Sequence, residues 1–366
     1  MVYSLNMGGI EHFWVNLYKY INRDRFAIDF ITKRNAPEYY DDVLKKMGGT
    51  KIALSDGKHT KGILQKAKML LHALRLFRSG YDIAYFNISS PADALKYPLI
   101  SILTGTKTVI VHAHSAFDDK RGMVHNLANK IGRSVINKTR MIRVACSDKA
   151  AKWMYGDICG KDYSFYEIKN GIDTAEYVYN SEARNKVREE FNISDDVLLI
   201  GCVGRIEPVK NHDFLLDVFA EVSKKRNAML MIVGNGTLIS SIRKKVAGIG
   251  VRDKVIFTGS RDDVCDLLQG MDLFVMPSIY EGLPLSGVEA QASGLKCFFS
   301  DTISRELDLT HNCVYLPLDK EIWIKEMLSF ADYDRLDSRD YIISAGYDIK
   351  SIAVQIEKIF LRQFEK

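Results

Sequence analysis

The stretch YEGLPLSGVEAQASGL, residues 280–295, sets Glu281 and Glu289 eight positions apart, around a turn that leads into a helical pattern. The turn through Leu283, Pro284 and Leu285, with a helix N-terminus near Ser286, aims free backbone N–H groups one way and so makes an anion site. Glu289, read in the first helical turn, can accept hydrogen bonds from a vicinal diol such as a ribose. Glu281, before the turn, can hold the hydroxyls of a second sugar. Singly, Glu289 is explained as a complement to the helix dipole and Glu281 as an exposed loop acid. The two together, with this turn between them, ask for a ligand that carries both hydroxyls and phosphate.

A second cluster lies upstream. VGRIEPVKNH places Gly204 and Arg205 just past a strand and Lys210 five residues on, before a helix. An isolated pair of this kind is a solvated basic turn, but beside an anion site two cations suit a diphosphate, each charge-assisted bond contributing about 1.5–3 kcal/mol. VGNG, with Gly234 and Gly236, and FTGS, with Gly259 and Ser260, close further strands with turns that allow close backbone approach.

These motifs need strand ends to sit on. Short apolar runs alternate with segments of helical periodicity: FAIDFIT, YDIAYF, KTVIVHAH, MIRVACS and YEIKNG in the first half, then VLLIGCVGR, AMLMIVGNG, KVIFTG, MDLFVMPS and LKCFFS. Continuous apolar strands between helices predict an α/β protein with two doubly wound parallel sheets in series. Ligands then bind beyond the carboxyl ends of the strands, where all these motifs fall. The join is expected between IKNGID (168–173) and VLLIGCVGR (197–205), with a helix over 183–191. The expected domains are 1–175 and 176–346, with a C-terminal helix in 347–366 packing back on the first domain. In that helix Ile349, Ile352, Val354, Ile356 and Ile359 are expected near one face.

At 366 residues the chain is long enough for two domains, and 47% hydrophobic with 27% charged residues excludes a disordered polymer. No apolar run reaches the roughly 18 residues of a membrane span, and no leader pattern follows Met1, so a cytoplasmic protein is expected. Cys146, Cys159, Cys202, Cys265, Cys297 and Cys313 include no C-x-x-C pair and read as free thiols. His112 and His114 form H-x-H without a third ligand of convincing spacing, and Asp332-Tyr333-Asp334 reads as a loop cluster, so no metal site is expected.

The basic excess is confined to one part: residues 1–175 hold 27 Lys and Arg against 16 Asp and Glu. Windows 57–81 and 120–147 contain no acid. The first carries Lys58, Lys61, Lys66, Lys68, Arg75 and Arg78, the second Lys120, Arg121, Lys130, Arg133, Lys138, Arg140 and Arg143. Ile63, Leu64, Ala67, Leu70, Leu71, Leu74 and Phe77 share a helical face that is expected to pack on a sheet, with the basic edge turned to an anionic membrane surface. Nucleic acid is a poor alternative, because these windows offer few aromatic platforms.

Together NMGGIEH, VHAHSA, VACSDKAAKWMYG, IKNGID, VGRIEPVKN, VGNG and the Glu281-to-Glu289 element resemble retaining GT-B glycosyltransferases of family 4. The resemblance spans nearly the whole chain and is greatest to bacterial enzymes of exopolysaccharide, capsule and O-antigen synthesis. It implies two Rossmann-like domains facing across a cleft, the first for the acceptor and the second for a nucleoside diphosphate sugar. It also implies hexose transfer with retention, and neither cofactor nor metal. Arg205 and Lys210 would bind the donor diphosphate, Glu289 the ribose and Glu281 the hexose, while the amides of Leu283 and Leu285 would add to the phosphate site. Gly8 and Gly9 would approach the diphosphate, His114 would lie beside the donor sugar, and the backbone at Ser260 and Arg261 would contact the base. A UDP-sugar donor, a lipid-linked or glycan acceptor, and a peripheral position at the inner face of the plasma membrane follow from it. The same residues would also suit a catalytically inactive nucleotide-sugar-binding protein or a nucleotide-sugar epimerase. Related chains have a fuller first strand than MVYSL before the glycine loop, a departure that bears on the Gly8–Gly9 loop.

Overall fold

The computed structural model describes residues 1–6, 8–57, 62–114, 122–156 and 165–362. The chain divides into two compact units, residues 1–171 with 349–366, and residues 172–348.

In the first unit β1 (Asp29–Thr32) pairs with β2 (Thr50–Ala53), and β3 (Ile83–Ile88), β4 (Thr108–Ala113), β5 (Ile142–Ala145) and β6 (Tyr166–Glu167) pair in that order, all parallel. The short N-terminal stretch runs beside both sets of strands. Val2 N–H donates to the Ile31 carbonyl at 3.1 Å, and the Asn87 side-chain amide donates to the Met1 carbonyl at 3.0 Å. Strand alternation sorts the core: Ala84, Phe86, Ile88, Val109 and Val111 face one side, Tyr85, Ile110 and Val144 the other. The first side is covered by helices Ile63–Arg78 and Met123–Lys138, the second by helices Gly9–Tyr20 and Ile349–Leu361.

Two helix faces differ from expectation. In Ile63–Arg78 the buried stripe is Met69, Ala73 and Phe77, while Ile63, Leu64, Ala67, Leu70 and Leu71 are exposed. The helix carries two apolar faces, and periodicity cannot say which one a sheet will take. In Ile349–Leu361 the buried set is Ile349, Ile352, Ala353, Ile356, Ile359 and Phe360, and Val354 is 52% exposed. At 3.6 residues per turn Val354 lies about 200° from Ile352, on the opposite side.

The second unit is one parallel six-stranded sheet in the order β12-β11-β10-β7-β8-β9. Its strands are β7 (Leu198–Val203), β8 (Ala228–Val233), β9 (Val255–Gly259), β10 (Leu273–Met276), β11 (Lys296–Ser300) and β12 (Cys313–Leu316). Every residue of β7 and β10 is buried, as continuous apolar runs require when helices cover both faces. Counted from β7 the order is 3-2-1-4-5-6, so the chain reverses direction across the sheet between β7 and β10. That reversal opens a crevice at the carboxyl ends of these two strands. The expected join helix spans Ser181–Glu190. Among the described residues no helix is long and apolar enough to cross a membrane, and the described cysteines are free thiols. Cys159 lies outside the described residues.

Candidate active site

Both carboxylates and both cations belong to the two strands that flank the crevice. After β7, Gly204 and Arg205 lead into the short turn Pro208–Lys210, and helix His212–Lys225 follows. After β10, residues 277–284 lead into helix Leu285–Ala292. Ile279 N–H donates to the Val209 carbonyl at 2.8 Å, which ties the two loops together. Glu281 is anchored from its other side by a parallel bridge to Ile303.

Lys210 Nζ lies 2.8 Å from Glu281 Oε1, both side chains being largely covered. The Lys210 side chain crosses Gly204, whose φ is +152° and where an added Cβ would stand 3.1 Å from Lys210 Cε. Glycine therefore supplies both the backbone angle and the room for that crossing. The Arg205 side chain is exposed and makes no hydrogen bond or close ion pair to the described residues, although its charge acts on Glu207. Its guanidinium is the open cation of the pair, while Lys210 is held by a counter-ion.

Helix Leu285–Ala292 starts one residue earlier than expected, because Pro284 takes the N-cap position and Leu285 is already helical. Glu289 consequently lies in the second turn rather than the first, and its part is not to complement the helix dipole. Pro284 offers no capping side chain, and the first amides, those of Leu285 and Ser286, have no acceptor within the helix. An anion at this tip would satisfy them. Leu283 and Leu285 turn their side chains into the apolar core, which leaves the backbone as the chemical face of this turn.

Glu289 is half-buried and hydrogen-bonded to the hydroxyl of Tyr177. Burial raises its pKa to about 7, against the opposing pull of that hydrogen bond and of the Lys210 charge. Lys210 thus bears on both acids. Tyr177, 5% exposed, was not singled out in the sequence: its partner is more than a hundred residues away, and nothing in DTAEYVYN announces the contact.

Gly234 and Gly236 pack against the chain itself. A Cβ on Gly234 would stand 2.1 Å from the Gly204 carbonyl oxygen, and one on Gly236 2.3 Å from that of Ile206. Gly204 N–H donates to the Val233 carbonyl at 2.9 Å and Gly234 N–H to the Gly259 carbonyl at 2.8 Å, stacking the three strand-end loops. Glu207, also missed in the sequence, clamps them by accepting from Thr237 N–H at 3.0 Å and Thr237 Oγ1 at 2.7 Å. Ser260 is exposed, and the Arg261 side chain is engaged with Glu190 at 2.7 Å and Asp263 at 2.6 Å. The Arg261 side chain is thereby occupied, while Ser260 is open.

In the first unit Gly8 caps helix Gly9–Tyr20 in extended conformation, and a Cβ on Gly9 would meet nothing within 4 Å. Met7 lies outside the described residues. His114 is buried with Nε2 2.7 Å from Asn87 Oδ1 and Nδ1 2.7 Å from Asn170 Oδ1. Burial lowers its pKa to about 4, so the ring is neutral and donates from one nitrogen. Trp14 Nε1 donates to the same Asn87 oxygen at 2.8 Å, which fixes that oxygen as acceptor and puts the His114 proton on Nε2. Nδ1 faces the Asn170 side-chain oxygen, so both ring nitrogens are occupied by neighbouring side-chain amides. His112 is fully buried beneath it, its Nδ1 bonded to the Tyr85 hydroxyl at 2.8 Å. Among the described residues no group of His, Cys, Asp and Glu could hold a metal ion.

The family profile of Glycosyl transferases group 1 matches residues 198–331, the segment that carries both strand-end clusters. EpsF of Bacillus subtilis, assigned as a glycosyltransferase, is 28% identical over 83% of this chain and 79% of its own. The Escherichia coli UDP-Gal:alpha-D-GlcNAc-diphosphoundecaprenol alpha-1,3-galactosyltransferase is 22% identical over 81% of this chain and 76% of its own. Among solved structures, Anabaena HepE in complex with UDP and glucose superposes with a TM-score of 0.76 at 18% identity, covering 96% of this chain and 95% of that one. WaaG, a glycosyltransferase involved in lipopolysaccharide biosynthesis, gives 0.69 at 14% identity over 99% and 98%. The fold is GT-B.

Proposed function

Because residues 198–331 form a group 1 glycosyltransferase domain, we propose that this chain moves a hexose from a UDP-sugar to a hydroxyl of a lipid-linked or glycan acceptor. The transfer keeps the anomeric configuration, needs no metal, and serves the building of cell-surface polysaccharide. The observation that carries this reading is the meeting of Arg205, Lys210, Glu281, Glu289 and an uncapped helix tip at the strand ends flanking the reversal of one sheet. UDP in the HepE complex and UDP-galactose in the name of the E. coli relative support the choice of nucleotide.

Departure of UDP leaves positive charge on the sugar ring and adds negative charge to the phosphate oxygens. Arg205 and the amides of Leu285 and Ser286 are placed to take that negative charge. Lys210 joins them once the diphosphate competes with Glu281 for its ammonium. Glu281 is then freed to accept from hexose hydroxyls, and Glu289 from the ribose diol. With both His114 ring nitrogens occupied by Asn87 and Asn170, the acceptor proton goes to the leaving phosphate, on the face from which UDP departs.

Thermal shift of the full chain with UDP-, GDP- and ADP-sugars tests the donor, since a ligand of the folded state raises the melting temperature. A rise with a UDP-hexose, followed by acceptor-dependent UDP release that survives EDTA, is expected. No rise with any of the three would overturn the reading. Donor isomerised without acceptor would make the protein an epimerase, and binding without turnover a sugar-nucleotide sensor.

A further inference from the structure

We propose that Tyr177 is a positioning residue for the donor's ribose: its hydroxyl, bonded to Glu289, fixes that carboxylate at the crevice so that its remaining lone pairs meet the diol. The inference rests on the reading of Glu289 as the ribose contact. It adds to that reading a residue from outside both strand-end clusters.

Tyr177 can set the place of the carboxylate because its own place is set elsewhere. The chain enters the second unit at Ile172, whose N–H donates to the Tyr347 carbonyl at 2.8 Å. Two residues on, Thr174 Oγ1 donates to Asp348 Oδ1 at 2.8 Å, and both side chains are buried. A turn closed by Glu176 N–H on the Asp173 carbonyl at 3.0 Å then delivers Tyr177. Past it, the buried Gln269 side chain accepts from Asn180 N–H at 3.2 Å and donates to the Tyr177 carbonyl at 3.4 Å. The ring lies in the same apolar core as Val288, the residue before Glu289. None of these anchors involves Glu289, so its carboxylate meets a hydroxyl already in place.

Charge shows why the carboxylate needs that hydroxyl. Lys210 is paired with Glu281 at 2.8 Å and also acts on Glu289 through its charge. A carboxylate able to turn would swing toward the ammonium, compete with Glu281 for it, and leave the ribose without an acceptor. Burial holds the Tyr177 hydroxyl protonated, its pKa well above the ordinary value, so the phenol is always the donor of the pair. Its bond also favours the ionised form of Glu289 against the effect of burial, and Lys210 acts in the same sense. A tyrosine present for packing alone would give its O–H to a backbone carbonyl or to water. Here it goes to one of the two acids of the site.

Tyr177→Phe keeps the ring and deletes only the hydroxyl. Titration calorimetry on the full chain at pH 8 compares UDP with 2′,3′-dideoxyuridine diphosphate, which lacks the diol, and melting temperatures are taken alongside. Wild type should prefer UDP. The variant should lose about tenfold in affinity for UDP and little for the dideoxy nucleotide, as expected for one hydrogen bond to a charged group. In a pH series with UDP-glucose, the midpoint at which affinity develops should rise by about one unit, because the ionised carboxylate has lost a donor. A folded variant that keeps the wild-type preference and midpoint, or one that weakens both nucleotides equally, would overturn the proposal and leave the ribose reading standing. A wild type that does not distinguish the two nucleotides would overturn that reading, and the assignment of Tyr177 with it.

Discussion

Lys210 and Glu281 form an ion pair of 2.8 Å that joins the loop after β7 to the loop after β10. The pair stands at the point where the strand order reverses. A diphosphate carries more charge than one carboxylate, so at this crevice it would compete with Glu281 for the three N–H donors of the ammonium. The same contact therefore engages both the cation proposed for the diphosphate and the carboxylate proposed for the hexose.

This relationship gives substitutions of opposite sign. Glu281→Gln removes the competitor, so UDP should bind more tightly to the variant, while transfer slows because a hexose contact is weakened. Lys210→Ala should weaken UDP binding and lower kcat by about 100–1,000-fold, equivalent to ~2.7–4 kcal/mol of barrier. Titration calorimetry with UDP and initial rates check both. Weaker UDP binding by Glu281→Gln would show that the ion pair supports the site rather than competing for it.

The Arg205 side chain has no hydrogen bond or close ion pair among the described residues to lose. Arg205→Ala should leave the melting temperature within a degree or two of wild type, since exposed substitutions without contacts change stability by about 0.5 kcal/mol or less. Turnover with a UDP-hexose should fall by two to three orders of magnitude, about the loss known for removal of one charge-stabilising donor. Unchanged turnover in the folded variant would remove Arg205 from the chemistry.

Glu289 supplies a pH test. Burial raises its pKa to about 7, above the ordinary carboxylate range, so the folded protein holds a proton that the unfolded chain has released. The stabilisation this gives is complete below the unfolded pKa and is lost as pH rises through 7. Glu289→Gln should therefore gain melting temperature relative to wild type between pH 5 and 8. A UDP-hexose has no group that titrates there, so its wild-type affinity should strengthen as Glu289 ionises, and the Gln variant should give a flat profile.

The buried histidines act in the opposite direction. Desolvation lowers His12, His114 and His212 to about 4 and His112 well below its ordinary value. Neutral in the fold and protonated when unfolded, they contribute stability that is full above pH 6.5 and is lost as pH falls toward 4. Melting temperature should drop steeply from pH 6 to 4.5 despite the gain from Glu289. A level profile would mean that these rings take up protons without unfolding.

Most of the framework could be read from the chain, because parallel strands buried on both faces leave unbroken apolar runs such as VLLIGCV and MDLFVM. Strands β2 and β12 were not read: TKIA and CVYL are short and only partly buried, so their pattern hardly differs from loop. The strand-end cations and acids were legible since their spacing is local. The Tyr177 contact with Glu289 and the Glu207 clamp on Thr237 were not, because each is made by folding distant segments together. The outward face of Ile63–Arg78 was misread for a different reason: apolar content was taken for burial, and on this helix the richer face is the exposed one.

The glycines separate structure from chemistry. Gly234 has φ +132° and its missing Cβ would stand 2.1 Å from the Gly204 carbonyl oxygen, a backbone atom that cannot yield. Gly234→Ala should destabilise the second unit by about 1–3 kcal/mol and disturb Arg205 with it. Gly9 meets nothing within 4 Å, and at Gly8 the nearest atom is the far end of the Glu11 side chain, which can swing aside. Neither Gly8→Ala nor Gly9→Ala should change the melting temperature appreciably. If these two positions approach the donor diphosphate, as the family resemblance implies for the glycine loop, the added methyl groups act only when donor binds. Both variants should then melt like wild type yet show a raised KM for the UDP-hexose or a loss of turnover, whereas Gly234→Ala should lose melting temperature and turnover together. Wild-type kinetics in Gly8→Ala and Gly9→Ala would confine the phosphate site to the second unit.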